Sequence, residues 1–261
     1  MRALLVFWRA LLATNLRAAY ALRGAFWTQV LLMVVNDLVW FSVWWVYFAR
    51  FETMAGWRLN DLMTLYGVIV AGFGTAVVLG GGVRVLAETI HDGALDSFLA
   101  QPKPALLHVV ASKTVASGWG DIATAVLFLV LSGHATVPDA LRAVLAVVAS
   151  AVAILSAGVL FHALAFWLGP VQALSRQLWE FLITFSHYPD TLFGGGMRFL
   201  LFTLIPAGVV AWVPADFVRA FSWERLATLL AASGLLALAA GLAWRAGLAR
   251  YASGSRFGAG P

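Results

Sequence analysis

Six long apolar stretches limit how this chain can fold. Each holds about 20 mostly nonpolar residues, the length at which an α-helix crosses the hydrocarbon core of a bilayer with every backbone polar group satisfied within the helix. The 261-residue chain is 62% hydrophobic and only 11% charged, and no window is polar enough to surround a water-soluble core. We therefore predict an all-α membrane protein with six transmembrane helices, at residues 24–48, 61–83, 117–133, 141–168, 193–212 and 226–246.

The basic residues predict the orientation of these spans. If the N-terminus is cytoplasmic, 12 of the 17 Lys and Arg residues fall in inner segments and five in outer ones. Positive charge concentrates on the cytoplasmic side of membrane proteins, so this distribution favours both termini inside the cell. Anionic lipid headgroups then explain the net charge of +5, and the sequence has no basic, aromatic-rich patch that would indicate a nucleic-acid partner.

Residues 1–23 differ from the spans that follow. Their arginines fall on one side of a helical wheel and their large apolar side chains on the other, which predicts an amphipathic helix lying in the membrane interface. The alternative is a signal peptide, but Arg9 and Arg17 would interrupt its apolar core and no small-residue cleavage site follows. The predicted organisation is this helix, a six-span domain at residues 24–250 and a flexible cytoplasmic tail at residues 251–261.

Residue types needed for several kinds of site are missing. Cys is absent, which removes disulfides, thiolate nucleophiles and Cys-based metal sites. The histidines show no ligand spacing, so no metal is expected. The glycine triplets at residues 80–82 and 194–196 lack the Lys-Ser/Thr that completes a phosphate-binding loop, so we expect no nucleotide or other cofactor on this chain. The triplets instead predict bends or close helix packing.

The segment at residues 84–104 is the main polar-patterned region between spans. Two ridges recur every four residues, as in a helix: Arg84, Glu88, Asp92 and Asp96 on one, and Leu86, Ile90, Ala94 and Phe98 on the other. Gly93 weakens a helix by about 1 kcal/mol relative to Ala, which predicts a local bend or a close backbone contact. Helices that rest on membranes usually carry basic polar faces. This mainly acidic ridge therefore favours a basic protein partner over a surface helix with solvated acids.

Ionisable and helix-breaking residues inside the spans are further candidates. Asp37 lies near the middle of the first span, where an ionisable group costs at least about 2.5–3.5 kcal/mol. It is interpreted either as a pathway or dimer-interface residue or as a hydrogen-bonded packing residue. An ion pair or a headgroup contact explains Asp121, and packing explains His162. Pro206 should kink the fifth span, either as a hinge or as a fixed bend.

Three segments resemble the permease subunits of type-2 ABC exporters, in particular their bacterial six-span branch. Residues 91–102, HDGALDSFLAQP, are similar to that family's G-x-L-D-x-x-L-x-x-P segment after the second span. Residues 186–214 contain a Tyr-Pro pair followed by an intramembrane Ile-Pro, and residues 244–253 resemble a W-x-x-G-L-x-x-Y ending. The order and spacing of these segments are retained across almost the whole chain.

The resemblance implies an export function and its partners. In that family two permeases, identical or related, pair in the bacterial plasma (inner) membrane, and each docks a separate ABC ATPase subunit through the segment after span two. ATP and Mg²⁺ bind the ATPase, whose closure drives alternating access in the permeases. Carried over by position, the docking residues are Glu88, Asp92, Gly93, Leu95 and Asp96. The family also places a re-entrant element near residues 214–224.

Two other functions are weighed against export by an ABC permease. A self-sufficient transporter or channel driven by an ion gradient usually shows inverted repeats and several intramembrane acids, whereas the predicted spans hold one central acid, Asp37, and no convincing repeat. An intramembrane enzyme would need a nucleophile beside a base. Ser156 and His162 are six residues apart, so they do not share a helical face.

Overall fold

The computed structural model describes residues 2–134 and 136–251, which form helices and turns without a β-sheet. The α-helices are α1 (Arg2–Ala21), α2 (Arg23–Phe48), α3 (Leu59–Gly80), α4 (Leu86–His91), α5 (Leu95–Leu99), α6 (Ala105–Val110), α7 (Gly118–Leu131), α8 (Val137–Ala163), α9 (Ala165–Leu168), α10 (Gln172–Ser186), α11 (Gly195–Thr203), α12 (Val213–Arg219) and α13 (Trp223–Arg250). A 3₁₀ turn, Gly81–Val85, follows α3, and a π-helical turn, Gly208–Trp212, precedes α12. The predicted all-α class is confirmed.

The long helices run between two ends of one bundle. We call the end that carries α1, α4–α6 and Tyr251 the basal end, and the end that carries the α2–α3 turn and the start of α8 the apical end. At the apical end, Asp61 at the start of α3 accepts a hydrogen bond from the Nε of Arg219, with an N–O distance of 2.8 Å. The Arg219 guanidinium also lies 4.2 Å from the centre of the Trp57 ring. These contacts fasten α12 to the apical end of α3.

Glycines allow α3, the most buried of the long helices, to pack closely against α7. A Cβ at Gly74 would lie 2.5 Å from the carbonyl oxygen of Gly118 and 2.6 Å from the Cβ of Asp121. A Cβ at Gly67 would lie 2.7 Å from the Cγ of Leu129. Small residues at such spacing bring helix backbones together in membrane proteins. The backbones of α3 and α7 therefore approach closely at these two glycines.

The two glycine triplets have different roles. Residues 80–82 pack tightly: a Cβ at Gly82 would collide with the carbonyl oxygen of Val109, and one at Gly81 would lie 3.0 Å from that of Lys113. The second triplet has open space around it, since a Cβ at Gly194, Gly195 or Gly196 would meet no atom within 4 Å. Gly195 has a φ of +46°, so this triplet bends the chain at the start of α11.

Four described helices are long and apolar enough to cross a membrane: α2, α3 with its continuation to His91, α8 with α9, and α13. They match the first, second, fourth and sixth predicted spans. α7, at the predicted third span, has 14 residues and measures about 21 Å, which is less than the hydrocarbon thickness. By length and composition the structure thus supports four spans, or five if the bent pair that includes α11 and α12 is counted as one.

The predicted fifth span, residues 193–212, is not a continuous helix. α11 stops at Thr203, helix resumes at Gly208, and the two pieces meet at 76°. Pro206 has no backbone N–H and its ring clashes with the preceding turn, so the predicted kink is a full break. The resumed helix then continues to Arg219, past the predicted end of the span.

α10 occupies a region that the sequence placed outside the spans. Its basal end lies beside α4, where Arg176 contacts Glu88 at 3.3 Å. At its apical end the His187 ring lies 5.0 Å from the ring of Tyr66 in α3. The buried side chains of α10 recur at intervals of four, three and four residues, which is one helical face turned to the bundle: Ser175, Trp179, Leu182 and Ser186. With 15 residues, α10 extends about 22 Å along the bundle.

Candidate functional site

The acidic segment after α3 folds as two short helices. α4 ends at His91, Gly93 adopts a φ of +73°, and α5 begins at Leu95. Glycine reaches positive φ without the steric cost that other residues incur, so Gly93 turns the chain between the two helices. The bend predicted at Gly93 is thus a complete break, and Asp92 lies on the turn rather than on a continuous helical ridge.

The apolar side of this segment anchors it to the bundle. Leu86 and Leu95 are fully buried and Ile90 is 3% exposed. Leu95, which the resemblance assigned to docking, therefore faces inward and holds the segment in place. Asp92 is exposed, whereas Glu88 and Asp96 are partly buried. The surface that this segment presents is thus acidic at its turn.

An ion pair connects α4 to α10. Arg176 Nη2 lies 3.3 Å from Glu88 Oε1, and the two side chains are 68% and 44% exposed to solvent. Exposed pairs of this kind contribute about 0–1 kcal/mol to stability. The pair therefore contributes little to stability, but it shows that the basal end of α10 lies against α4.

The C-terminal end of α13 contacts α5 through Tyr251. The Tyr251 hydroxyl is buried and faces the Asp96 carboxylate. Burial, together with this carboxylate, raises the pKa of Tyr251 to about 12, so the phenol keeps its proton. The Tyr251 ring also packs 6.0 Å from the ring of Phe166 in α9. Of the predicted tail, residues 251–261, only Tyr251 lies within the described residues, and it is packed.

The same contacts explain the motif at the end of α13. The Trp244 ring lies 5.4 Å from the Phe166 ring, and a Cβ at Gly247 would collide with that ring. The Trp, Gly and Tyr of the W-x-x-G-L-x-x-Y ending therefore share one aromatic partner on α9. Because Tyr251 also faces Asp96, the motif locks α9, α13 and α5 together.

α1 packs against the other side of the segment. The His108 ring of α6 lies between two aromatic rings, 5.2 Å from Phe7 of α1 and 4.9 Å from Phe98 of α5. Asn15 Nδ2 donates a hydrogen bond to the carbonyl oxygen of Ala111, with an N–O distance of 2.8 Å. α10 and α13 thus contact the segment directly, and α1 reaches it through His108 of α6.

A cavity of about 380 Å³ lies among α2, α3, α7 and α10. Three acids line it, one from each of three helices: Asp37 of α2, Asp121 of α7 and Glu180 of α10. Aromatic side chains form much of the remaining wall: Trp40, Trp44, Tyr66, Phe73 and Tyr188. The lining also includes His187. The cavity is therefore apolar with a few acidic groups, which is typical of small-molecule sites.

Close helix packing places Asp37 and Asp121 on the same cavity. A Cβ at Gly120 would collide with the carbonyl oxygen of Val30 and would lie 2.8 Å from the Cβ of Met33, so α7 crosses α2 in near contact there. Asp37 is 5% exposed and Asp121 is 1% exposed, and the Oδ2 of each has no hydrogen-bond partner. Both residues line the cavity, and each keeps one buried carboxylate oxygen without a hydrogen-bond partner.

The structure separates the other intramembrane candidates from this cavity. Pro206 is buried at the break before Gly208 and does not line it. The Nδ1 of His162 lies 2.9 Å from the carbonyl oxygen of Gly158, as a packing residue would. Within residues 2–134 and 136–251, no group of three side chains is arranged to hold a metal ion.

Sequence reasoning missed Asp121 and Glu180 as cavity residues. Asp121 was explained by an ion pair or a headgroup, but it is buried and faces the cavity instead. Glu180 lies on α10, which the six-span prediction left outside the membrane. The spacing of Ser175, Trp179 and Leu182 could have predicted this helix, because these residues lie on one helical face within an otherwise polar segment.

A basal cavity of about 390 Å³ adjoins the start of α4. Its lining includes three basic side chains, Arg84, Lys113 and Arg176, together with Glu88 and Glu180. Glu180 therefore lines both cavities. α10 forms the boundary between them.

The helices, the buried acids and the apolar outer faces define a multi-pass α-helical membrane protein with an internal cavity. A family model described as ABC-2 family transporter protein matches residues 31–255, most of the chain. The chain belongs to the ABC-2 transporter family, and the resemblance noted in its sequence is confirmed. No curated protein and no solved structure matches the chain.

Proposed function

We propose that this chain is the membrane subunit of an ABC exporter that acts with a separate ATPase docked on the segment from α4 to α5. Membership of the ABC-2 family makes it a transport subunit rather than an enzyme, and permeases of this family generally work with an ATPase. The observation that carries the docking proposal is the braced segment with an exposed acid at its turn. Glu88, Asp92, Gly93 and Asp96 form its surface, and Leu95 anchors it from within.

The proposal includes six crossings, with both termini in the cytoplasm of a bacterium and the protein in the plasma (inner) membrane. α2, α3, α7, α8, α10 and α13 would cross, with the bilayer locally thinned around the short helices α7 and α10. The bent pair of α11 and Gly208–Arg219 would form a re-entrant element. Support comes from α10, which reaches from Glu88 at the basal end to the Tyr66 ring near the apical end. α1 would lie along the inner membrane surface beside α6. A second permease, identical or related, would complete the transport pathway.

Charge reversal at the turn tests the docking proposal. Asp92→Lys should abolish co-purification of an ATP-hydrolysing subunit with the full-length chain from its native membrane, because repulsion replaces attraction at the interface. Glu52→Lys is the matched control, since Glu52 is an exposed acid at the apical end and the same change there should leave the association intact. Equal ATPase recovery with both variants would contradict the assignment of the docking segment.

A transporter driven by an ion gradient is the second candidate function. The observation in its favour is that three acids, rather than the single Asp37, line the membrane cavity. The two candidates differ in their energy source. Substrate movement by the purified chain in vesicles, with no ATPase subunit present and an ion gradient imposed, would favour the second. Movement that depends on the ATPase and ATP would favour the first.

A further inference from the structure

The membrane cavity has the chemistry of a cation site. Asp37 and Asp121 both line it, each is more than nine-tenths buried, and each has one carboxylate oxygen without a hydrogen-bond partner. No Lys or Arg occurs among the described residues that line it. A buried carboxylate is costly unless a charge or hydrogen-bond donors compensate it. The described cavity lining therefore has no Lys or Arg to balance these carboxylates, and a cationic ligand would supply the positive charge.

Two acids close to each other favour a bound cation more strongly than either acid alone. Asp37 and Asp121 line the same cavity and are close enough for their charges to interact. Carboxylates that approach one another repel when both are ionised, and a cation between them relieves that repulsion. Asn36 and Thr124 lie beside Asp37 and supply it only with neutral groups. Glu180 and His187 are the other titratable side chains of the wall apart from two tyrosines.

The remaining walls favour an organic cation over an inorganic one. The faces of Trp, Tyr and Phe rings attract cations, and Trp40, Trp44 and Tyr66 all line this cavity. Metal ions such as Ca²⁺ take six to eight oxygen ligands in a compact shell, whereas this cavity of about 380 Å³ is mainly apolar. Its volume falls within the range of small-molecule sites.

The cavity is open along α2. Trp40, which forms part of its wall, is 58% exposed, and the neighbouring Val39 is 61% exposed. These residues lie on the side of α2 that is not covered by the bundle. A ligand with an apolar body could therefore enter sideways, along the apolar face of the helix, with its charge moving toward the acids.

We propose that this cavity binds a lipophilic organic cation, such as an aromatic amine or a quaternary onium ion, with Asp37 and Asp121 as its charge partners and the aromatic wall around its apolar body. The inference rests on the proposed export function, because it names the class of substrate that the exporter would carry. Asp37 and Asp121 would contact the ligand directly, and Gly120 would position them by holding α7 against α2.

The test measures binding of tetraphenylphosphonium to the full-length purified chain by equilibrium dialysis. Tetraphenylborate, which has nearly the same shape and the opposite charge, is the matched ligand control. We expect saturable binding of the phosphonium and none of the borate. Asp37→Asn and Asp121→Asn should each weaken binding by roughly tenfold or more, the loss expected when a buried charged partner is removed. Asp216→Asn, at an exposed apical acid, should leave binding unchanged.

Several results would overturn the proposal. Equal binding of the cation and the anion would show partition into an apolar site without charge recognition. Unchanged affinity in both Asn variants would remove the acids from the site, and if one variant fails to fold the other still decides. Stabilisation by Na⁺ or K⁺ with no phosphonium binding would assign the cavity to an inorganic cation. Phosphonium binding needs no ATPase, so it is tested independently of docking. If the phosphonium does not bind but the ATPase still co-purifies, the substrate class is refuted and the exporter proposal stands.

Discussion

The crossing of α3 and α7 at Gly74 gives a prediction whose size follows from the structure. In Gly74→Ala, the new methyl group would lie 2.5 Å from the Gly118 carbonyl oxygen. Non-bonded atoms pack favourably at about 3.5 Å, so α7 must move away from α3 by about 1 Å. The atom met is backbone and cannot rotate aside. Overpacking of this kind costs about 1–3 kcal/mol.

A second Gly to Ala change provides the reference. Gly241 lies within α13, and a Cβ there would meet no atom within 4 Å. Both substitutions gain the same helix propensity of about 1 kcal/mol, so this gain cancels when they are compared. Gly74→Ala should therefore be less stable than Gly241→Ala by about 1–3 kcal/mol.

The assay is equilibrium unfolding of the purified chain in mixed micelles, followed by circular dichroism as the denaturing detergent is increased. The difference between the two variants is the informative quantity, because each is measured against the same wild-type curve. Free energies of unfolding that agree within about 0.5 kcal/mol would refute the reasoning. Such a result would mean that α7 does not approach α3 as closely as described.

Two further contacts predict measurable losses. Ser150 Oγ donates a 2.7 Å hydrogen bond to the Val210 carbonyl oxygen next to the break in the bent pair, so Ser150→Ala should lower the free energy of unfolding by about 0.6–1.7 kcal/mol, and no change would show that the bond does not support the π-helical turn. Arg219→Ala removes the contact with Asp61 and the stacking on Trp57 at the apical end. It should cost about 1–2 kcal/mol, with the loss reduced at high salt; a loss no larger than that of Arg50→Ala, at an exposed apical arginine, would contradict it.

The long helices were predictable because composition alone decides them. α2, α8 and α13 each exceed 20 residues and contain few charges, so each is long and apolar enough to cross a bilayer. α10 was missed for the opposite reason. Its 15 residues include Arg176 and Glu180, which break the hydropathy signal. The bundle accepts them because Arg176 meets Glu88 at the basal end and Glu180 faces the two cavities.

The pattern predicted a helical, mainly acidic segment after the second span, but not that it is two short helices joined by a turn. Acidic and apolar residues that recur every four positions are typical of one helix. Two short helices joined by a turn can show the same spacing, so the pattern does not distinguish the two structures. Gly93 was the only residue of the segment whose type predicted a bend, and its positive φ shows that the chain turns there. The inward position of Leu95 depends on packing against distant helices, which a local pattern does not contain.

The pairing of Asp37 with Asp121 was beyond the sequence for a similar reason. The two residues are separated by 83 positions (121 minus 37, less one), and only the crossing of α2 and α7 at Gly120 brings them to one cavity. Gly120 was not distinguishable from the other glycines of the chain before the helices were placed. The sequence supplied the acids, and tertiary packing made them neighbours.

α10 connects α4 at the basal end with the wall of the membrane cavity. Arg176 contacts Glu88 of α4, and Glu180 lies one helical turn further along, on the wall of the membrane cavity. A rigid helix about 22 Å long that tilts by 10° about its middle displaces each end by about 2 Å. If the proposed ATPase moves α4, a tilt of α10 by this amount would change the width of the membrane cavity.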